Sequence, residues 1–171
     1  MLENIKLFII DLDGTIYIDN TLIPGALEKI NEIYNSGRQI LIVTNNASKS
    51  QISYVEKLNK MGINISKDYV YTSGMSCIDF VKNNYPDKSV YILGTKSLAD
   101  EFIKNDIELN DNNPDIVVLS YDTEITYNKI EKFSRFLNED KIYIATHHDI
   151  NCPHKPFYIP DAGSYIEMFY T

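Results

Sequence analysis

Two aspartates separated by one residue, Asp11 and Asp13, are the first side chains in the sequence that could do chemistry together. They follow Leu7–Ile10, an apolar run whose β-branched and aromatic composition predicts a strand buried on both faces of a parallel sheet. Open α/β sheets bind ligands at the carboxyl ends of their strands, and residues i and i+2 of a strand point to one side. Both carboxylates can therefore face one small ligand, and a bound cation would relieve their repulsion. The alternative is an acidic turn at Gly14, since Asp and Gly are ordinary turn residues.

A hydroxyl and two amides follow the next apolar run, residues 39–43, which predicts a second buried strand. These side chains belong to Thr44, Asn45 and Asn46. The backbone N–H groups of the two asparagines approach the start of a helix, which is a natural anion site. Taken alone, the three residues can also be a plain cap between a strand and a helix.

The elements that must position these residues alternate between strand and helix. A third apolar run at residues 69–72 predicts another strand, and helices are expected to begin at Pro24 and after the capping residues Ser48 and Ser73. Leu58 belongs to the apolar face predicted for the helix after Ser48, which also contains Ile52, Val55 and Met61. This order predicts an α/β fold with a parallel, doubly wound sheet.

The tripeptide Tyr-Pro-Asp at residues 85–87 interrupts this alternation and is a candidate domain boundary. We therefore predict two domains, residues 1–84 and residues 85–171. A second α/β series follows the boundary, with strands at residues 90–93, 116–119 and 142–145 and helices at residues 97–104, 127–137 and 164–170.

Composition and charge argue against several classes of partner. The chain has 171 residues, enough for one ordinary domain or two small ones. Its net charge is −8, from 24 acidic and 16 basic residues without a Lys/Arg cluster, which argues against nucleic acid and anionic membranes. An acidic protein that handles phosphate needs local positive charge, most simply a metal ion. With no signal peptide, no apolar run of membrane length and only Cys77 and Cys152, the sequence predicts a cytoplasmic protein.

The motifs together resemble those of the haloacid dehalogenase (HAD) superfamily of phosphotransferases. DLDGT at residues 11–15 resembles its first motif. The strings PGALEKI, TNNASKS, YTSG, ATHHD and PDAGS then occur in the order typical of its NagD-like and 4-nitrophenylphosphatase-like subfamily. The resemblance covers nearly the whole chain. It implies the N-terminal half of a Rossmann-like HAD core over residues 1–84 and an α/β cap of the C2 type over residues 85–171.

The resemblance also implies the role of each site residue. Asp11 would be the nucleophile that takes the phosphoryl group as an aspartyl-phosphate. Asp13 would protonate the leaving oxygen and then activate the hydrolytic water. A carboxylate oxygen of Asp11 and the backbone carbonyl oxygen of Asp13 would hold Mg²⁺, which offsets the repulsion between the nucleophile and the phosphate dianion. The residues expected at the phosphate are Thr44, Asn45, Asn46 and Gly14.

The implied reaction is Mg²⁺-dependent hydrolysis of a small phosphorylated metabolite, since a cap over the site excludes bulky substrates. Other phosphotransferases, including phosphomutases, share aspartyl-phosphate chemistry and stay open as alternatives. A third hypothesis is a non-catalytic subunit that binds phosphate or a metabolite and recruits a partner through an exposed sheet edge.

The sequence departs from the superfamily pattern in two motifs. No G-D-x-x-x-x-D string occurs, and Lys155 lies before PDAGS, so we do not assign it as the third-motif lysine. Without later strands we expect an exposed sheet edge, and without the acidic pair we expect weak Mg²⁺ binding. The isolated chain is therefore predicted to be catalytically impaired, unless a homo-oligomer or another chain completes the core.

Two further groups of polar residues have competing interpretations. His147, His148, Cys152 and His154 could ligate zinc, although their spacing matches no closed structural site, or could contact substrate or form a plain loop. The pair at positions 122 and 124, Asp and Glu, has no Gly-Thr turn after it and is interpreted as a solvated loop. Cys77 lies on the apolar face of a predicted helix and is expected to be packing.

Overall fold

The structure, a computed structural model, describes residues 4–169 as an α/β protein built from two separate parallel sheets. Among these residues, no helix is long and apolar enough to cross a membrane. The strands are β1 Leu7–Ile10, β2 Tyr17–Ile18, β3 Thr21–Leu22, β4 Gln39–Thr44, β5 Val70–Thr72, β6 Val90–Leu93, β7 Ile116–Leu119, β8 Ile142–Ala145, β9 Asn151–Cys152 and β10 Ile159–Pro160. The helices are α1 Ala26–Asn35, α2 Gln51–Lys60, α3 Ser73–Asn84, α4 Lys96–Lys104, α5 Tyr127–Leu137 and α6 Ala162–Met168, with a single 3₁₀ turn at Lys67–Tyr69.

The first sheet has the order β1-β4-β5, with both pairs parallel. Helices α1 and α2 pack on one face, where Ile40 and Ile42 of β4 are buried in the core. The prediction that β1 is buried on both faces is wrong, because Leu7 is 43% exposed and Ile9 is 66% exposed. Within the described part of the chain β1 lies at the edge of this sheet, and no helix covers these two side chains. The predicted exposed edge is therefore present.

Helix α3 follows the first sheet in sequence but packs with the second. Its buried residues Cys77, Ile78 and Val81 belong to the same core cluster as Val90 and Phe102. Helix α3 therefore belongs to the core of the second sheet, and it follows β5, at the edge opposite β1. The predicted domain boundary after residue 84 stays a prediction.

The second sheet, in the order β6-β7-β8, is parallel and covered on both faces. Helices α3 and α4 pack on one face, and α5 and α6 pack on the other. All four residues of β7 are buried, as expected for a central strand between two helix layers. The structure confirms three predicted strands and one predicted helix, at residues 90–93, 116–119, 142–145 and 127–137. The last helix, α6, begins at residue 162 and not at 164. Residue 170, the predicted end of that helix, lies outside the described residues.

Two predicted helix caps are wrong by one or two residues. Ser50 caps α2 instead of Ser48, whose N–H and hydroxyl both donate to Asn46 Oδ1. Thr72 caps α3 instead of Ser73, which becomes the first helical residue. Helix α1 likewise begins at residue 26, after a glycine with positive φ, and not at residue 24. The predicted and observed starts of these three helices therefore differ by one or two residues, which is the usual uncertainty at helix ends.

The two sheets are connected through α2 and α4. Thr95 Oγ1 donates to the carbonyl oxygen of Ser48 at 2.9 Å in a buried hydrogen bond. The N–H of Ser50 donates to Ser97 Oγ, also at 2.9 Å. These bonds hold the loop before α2 against the second sheet, and a cleft lies beside this contact.

Candidate active site

The chain turns sharply where β1 ends, and this turn separates the environments of the two aspartates. Asp11 is exposed, and its Oδ2 accepts a hydrogen bond from Thr15 Oγ1 at 2.9 Å. Leu12 is fully buried between the aspartates, and its carbonyl oxygen accepts hydrogen bonds from the backbone N–H groups of Thr15 and Ile16. Asp13 is half-buried. One carboxylate is therefore open to solvent and the other is partly removed from it.

Gly14 has a conformation that other residues adopt with strain. Its φ is +85°, and a Cβ at this position would lie 3.2 Å from Pro153 Cγ. Its N–H donates to the carbonyl oxygen of Tyr17 at 2.8 Å, which starts the small β2–β3 hairpin. Glycine is needed here both for the turn and for the close approach of the loop after β9.

The neighbouring strand brings one of its predicted residues directly to Asp13. Asn46 Nδ2 donates to Asp13 Oδ2 at 3.3 Å, while its backbone N–H donates to Thr44 Oγ1 at 3.1 Å. Thr44 is buried, with 2% of its surface exposed. Asn45 points elsewhere, because its Nδ2 donates to Asp149 Oδ2 at 2.9 Å. The carboxyl ends of β1 and β4 therefore meet as predicted, but the two asparagines have different partners.

Burial and nearby charge shift the pKa values of groups in this site. Burial raises the pKa of Asp13 above its ordinary value, and Asp11 adds to the rise, while Lys57 and Asn46 oppose it. Burial also lowers the pKa of Lys57, although Asp13 works in the opposite direction. The Lys57 ammonium lies 3.5 Å from the centroid of the Tyr17 ring. Asp13 therefore sits in a partly desolvated environment with one cationic side chain near it.

Asp13 lines a cleft of about 470 Å³ between the two sheets. The first sheet's side supplies Asn46, Tyr17 and Lys57, and the second sheet's side supplies Tyr121. The loop after β9 closes one end of the cleft. Asp11 is not among the residues that line it. Asp13 thus faces an open cleft of the size of a small ligand, which Asp11 does not line.

Lys57 and Tyr17 line the cleft beside Asp13, but neither was predicted as a site residue. The predicted apolar face of α2 included Ile52, which is 53% exposed, whereas Tyr54 and Leu58 are the buried residues of this helix. If the buried face of α2 is instead defined by Tyr54 and Leu58, Lys57 lies three residues after Tyr54 and therefore beside the buried surface. The spacing of Tyr54 and Leu58 was therefore the available signal.

The histidine-rich segment does not form a zinc site. Among residues 4–169, no group of three or more His, Cys, Asp or Glu side chains is placed to hold a metal ion. His147 is held by Asp161 Oδ1 at 2.8 Å from its Nε2, while His154 Nε2 lies 3.7 Å from Asp19 Oδ1. Cys152 is buried, and burial raises the pKa of its thiol to about 12. Cys77 is also buried, as predicted for packing.

The interpretation of residues 122 and 124 as a solvated loop is wrong for Asp122. This carboxylate has no exposed surface, and its Oδ2 lies 2.8 Å from Lys129 Nζ. Its Oδ1 accepts from the N–H of Glu124 at 2.8 Å, and Lys129 Nζ also donates to the carbonyl oxygen of Gly94. The first turn of α5 brings the lysine beneath the loop, and this ion pair makes burial possible.

The donor set at the first strand fits a magnesium ion in part. Mg²⁺ is commonly held by one or two carboxylates and completes its shell with waters and substrate phosphate. Asp11 supplies a carboxylate and Asp13 supplies its backbone carbonyl oxygen, which leaves the half-buried Asp13 carboxyl free to exchange a proton. Within the described ranges no third acidic side chain joins them.

Comparison with known proteins identifies the family to which this chain is similar. Residues 8–108 match the family model for haloacid dehalogenase-like hydrolases. Acid sugar phosphatase of Staphylococcus saprophyticus is 32% identical over 164 residues, which are 95% of this chain and 63% of that protein. Among solved structures, 4-nitrophenylphosphatase from Thermotoga maritima has a TM-score of 0.90 and 38% identity, covering 96% of this chain and 63% of that one. NagD from E. coli K-12 has a TM-score of 0.81 and 27% identity, covering 96% of this chain and 64% of that one.

The chain thus spans about 63% of the length of the curated relatives that it matches. The matched residues contain the first strand with both aspartates and the second strand with Thr44, Asn45 and Asn46. The two solved relatives align with 96% of this chain, so the aligned part includes both sheets. The chain therefore belongs to the haloacid dehalogenase-like hydrolase family, within its NagD-like group.

Proposed function

We propose that this chain carries the nucleophile and the acid of a phosphatase that hydrolyses small phosphomonoesters through an aspartyl-phosphate. The observation that carries the proposal is the different burial of Asp11 and Asp13 at the end of β1. An exposed carboxylate suits a nucleophile, and a carboxyl group with a raised pKa suits a general acid. The relatives named acid sugar phosphatase and 4-nitrophenylphosphatase support a phosphate ester as the substrate.

In the first proposed step, an Asp11 carboxylate oxygen attacks phosphorus and the ester P–O bond breaks. Thr15 holds Asp11 Oδ2, so the other oxygen is the one oriented for attack. Asp13 gives its proton to the departing alkoxide, which leaves as an alcohol. In the second step Asp13 takes a proton from water, the water oxygen attacks the aspartyl-phosphate, and inorganic phosphate leaves with Asp11 regenerated. When bound by Asp11 and Asp13, Mg²⁺ supplies positive charge that offsets repulsion between the nucleophile and the phosphate.

Thr44, Asn45, Asn46 and Gly14 are proposed to surround the transferred phosphate. The Asn46 N–H donates to Thr44 Oγ1, so this N–H would have to exchange that bond for one to a phosphate oxygen. Asn45 would similarly have to leave Asp149. Binding of phosphate is therefore expected to change the contact between the first sheet and the loop after β8.

The proposed domains are a partial core, residues 1–84, and a C2-type cap, residues 85–171. The cleft of about 470 Å³ between them suits a small phosphorylated metabolite. Because both cysteines are buried and unpaired, we keep a reducing compartment, the cytoplasm, as the proposed location.

A second candidate function is a subunit that binds phosphate or a metabolite and pairs with another chain. The favouring observation is the edge strand β1, on which Leu7 is 43% and Ile9 is 66% exposed. A partner strand would pair with the backbone of this edge, and a helix of the partner would cover both side chains on the outer face. The proposed partner is a second copy or a chain that completes the core.

The test is Mg²⁺-dependent hydrolysis of a generic aryl phosphate by the purified chain and its Asp11→Asn variant. Asp68→Asn is the matched control, because Asp68 is an exposed acidic residue on the 3₁₀ turn. We expect activity that is lost in Asp11→Asn and retained in Asp68→Asn. Activity retained in Asp11→Asn would contradict the nucleophile, and an inactive but folded parent chain would favour the binding subunit.

We also propose that the isolated chain turns over slowly. Among the described residues no further acidic side chains join Asp11 and Asp13, so Mg²⁺ would keep more waters and bind weakly. Raising the Mg²⁺ concentration should therefore raise the rate over a wide range. Saturation at low Mg²⁺ by a monomer, with turnover equal to that of the Thermotoga maritima relative assayed beside it, would contradict this proposal.

A further inference from the structure

Lys57 is a partly buried cation that no carboxylate neutralises directly. It lies on α2 with its ammonium group 3.5 Å from the centroid of the Tyr17 ring, and it lines the cleft that contains Asp13. No acidic side chain in the described part of the chain forms an ion pair with it, although the protein carries a net charge of −8. A desolvated ammonium held over an aromatic face is positioned to meet an anion that enters the cleft.

Tyr17, which positions this ammonium, has an unsatisfied polar atom of its own. Its side chain is fully buried, and its hydroxyl has no hydrogen-bond partner within residues 4–169. Buried hydroxyl groups in native proteins nearly always have a partner. Because Tyr17 lines the same cleft, a ligand oxygen bound there could accept this hydrogen bond.

A second cleft adjoins the first at Lys57. This second cleft, of about 690 Å³, shares Ser48, Lys49 and Lys57 with the first and extends along α2 to Lys60. Asp11 lines neither cleft, whereas Asp13 lines the first. If Asp11 attacks the phosphorus and Asp13 protonates the leaving oxygen, the leaving alcohol extends from Asp13 toward these lysines.

The acidic residues along the two clefts are engaged by other groups or lie in solvent. Asp19 Oδ2 accepts from the N–H of Lys155 at 3.2 Å, and its Oδ1 lies 3.7 Å from His154 Nε2. Glu124 Oε2 accepts from the N–H of Lys96 at 2.9 Å, and Glu56 is exposed. Asp13 also attracts Lys57 but forms no ion pair with it among the described residues, so Nζ of this lysine can contact a ligand.

We propose that Lys49 and Lys57 form an anion subsite for the leaving group, so that the preferred substrates are phosphomonoesters whose alcohol carries a second anionic group. This inference rests on the proposed function, because the roles of the two aspartates set the direction of the leaving group. Either a carboxylate or a second phosphate has the required chemistry, since both accept charge-assisted hydrogen bonds from lysine. A neutral alcohol of the same length would leave both ammonium groups without a partner.

The test measures binding of non-hydrolysable phosphonates by calorimetry, at a fixed excess of Mg²⁺. 3-Phosphonopropionate and propylphosphonate have the same length and differ in one carboxylate, and ethane-1,2-diphosphonate replaces that carboxylate with a second phosphonate. We expect the parent chain to bind 3-phosphonopropionate roughly tenfold more tightly than propylphosphonate, as for one charge-assisted hydrogen bond. The stronger of the two dianionic probes identifies which anionic group the subsite prefers, and a preference for either one supports the subsite.

Lys57→Met should bring the affinity ratio of the matched pair close to one, and Lys57→Arg should restore most of it. Lys49 is exposed, so Lys49→Met tests the subsite without a risk to folding and should lower the ratio about threefold. Lys82→Met removes the same charge from an exposed position on α3 and should leave the ratio unchanged.

Three results would overturn the subsite: equal affinities of the parent chain for the matched pair, a ratio that survives both Lys57→Met and Lys49→Met, or no binding of any phosphonate. Failure of the phosphatase proposal has a different signature. In that case no ester is hydrolysed, while the binding preference and its loss in the lysine variants remain.

Discussion

At the scale of single residues, the ion pair of Asp122 and Lys129 shows how this chain buries a carboxylate. Asp122 has no exposed surface, while the side chain of Lys129 remains 28% exposed. Both oxygens of the carboxylate have donors, from Lys129 Nζ and from the backbone N–H of Glu124. Removal of the lysine alone would leave a buried charge without compensation, which is the most unfavourable arrangement for such a pair.

We predict that Lys129→Met lowers the free energy of unfolding by about 3 kcal/mol, measured by urea denaturation at pH 7. The matched control is Lys132→Met, one helical turn further along α5. Lys132 is 26% exposed, but its partner Asp111 is 73% exposed, so its loss should change stability by less than about 1 kcal/mol. Equal effects of the two substitutions would contradict the argument from burial of the partner.

At the scale of elements, α6 begins where two chain segments approach closely. A Cβ on Gly163 would overlap the backbone carbonyl oxygen of His148 and lie 2.8 Å from the carbonyl carbon of Asp149. The N–H of Gly163 also donates to the carbonyl oxygen of Asp149 at 2.8 Å. Since Asp149 accepts from Asn45, this contact links the start of α6 to the candidate active site.

We predict that Gly163→Ala lowers the free energy of unfolding by about 2 kcal/mol, because the backbone of another segment must move. Gly74→Ala is the control, since its added Cβ would lie 2.7 Å from the end of the Leu98 side chain, which can rotate. That substitution should change stability by less than about 1 kcal/mol, as a favourable helix propensity offsets part of the crowding. Chemical denaturation of both variants checks the difference, and the reverse order would refute the placement of α6.

Asp115 joins the starts of β6 and β7 and gives this region a predictable pH dependence. Hydrogen bonds from the backbone of Ser89 and the side chains of Lys88 and Ser89 lower the pKa of Asp115 from 3.8 to about 2. A carboxyl group with a lowered pKa in the folded state stabilises the fold above its ordinary pKa, and the stabilisation is lost as the pH falls through the folded value. We predict that Asp115→Asn reduces stability at pH 7 and that its difference from the parent disappears between about pH 4 and pH 2. Asp68→Asn, at an exposed position, should show no such pH-dependent difference in denaturation curves.

At the scale of the whole molecule, the two sheets share packing and hydrogen bonds across the predicted domain boundary. Helix α3 contributes Cys77, Ile78 and Val81 to the core of the second sheet. Thr95 caps α4 through the N–H of Leu98 and also donates to the carbonyl oxygen of Ser48. Both contacts should make the described residues unfold as one unit.

We predict that Thr95→Val lowers the free energy of unfolding by about 2 kcal/mol, because it removes a helix cap and leaves a buried carbonyl group without its donor. Thr95→Ser retains the hydroxyl and should lose less than half of that amount. Far-ultraviolet and tyrosine circular dichroism should report coincident transitions in both variants. Separate transitions for the two signals would show that the sheets unfold independently.

Local patterns in the chain were sufficient for several elements and for part of the site. The strands at residues 90–93, 116–119 and 142–145 follow continuous apolar runs, and α5 repeats its apolar residues at helical spacing. The DLDGT string placed Asp11 and Asp13 at the end of β1, and parallel strand order brought the segment from Thr44 to Asn46 beside them. All of these features depend on near neighbours in the sequence or on the parallel order of adjacent strands.

Other features arise from contacts between segments distant in sequence, and local patterns do not encode them. The packing of α3 with the second sheet joins residues on both sides of the predicted boundary, and the burial of Asp122 depends on a lysine from the next helix. The position of Lys57 over Tyr17 requires α2 and the β2–β3 hairpin to pack together. The sequence therefore specified the strands and the acidic motif through local propensity, whereas burial, charge pairing and the shape of the cleft followed from how the helices packed.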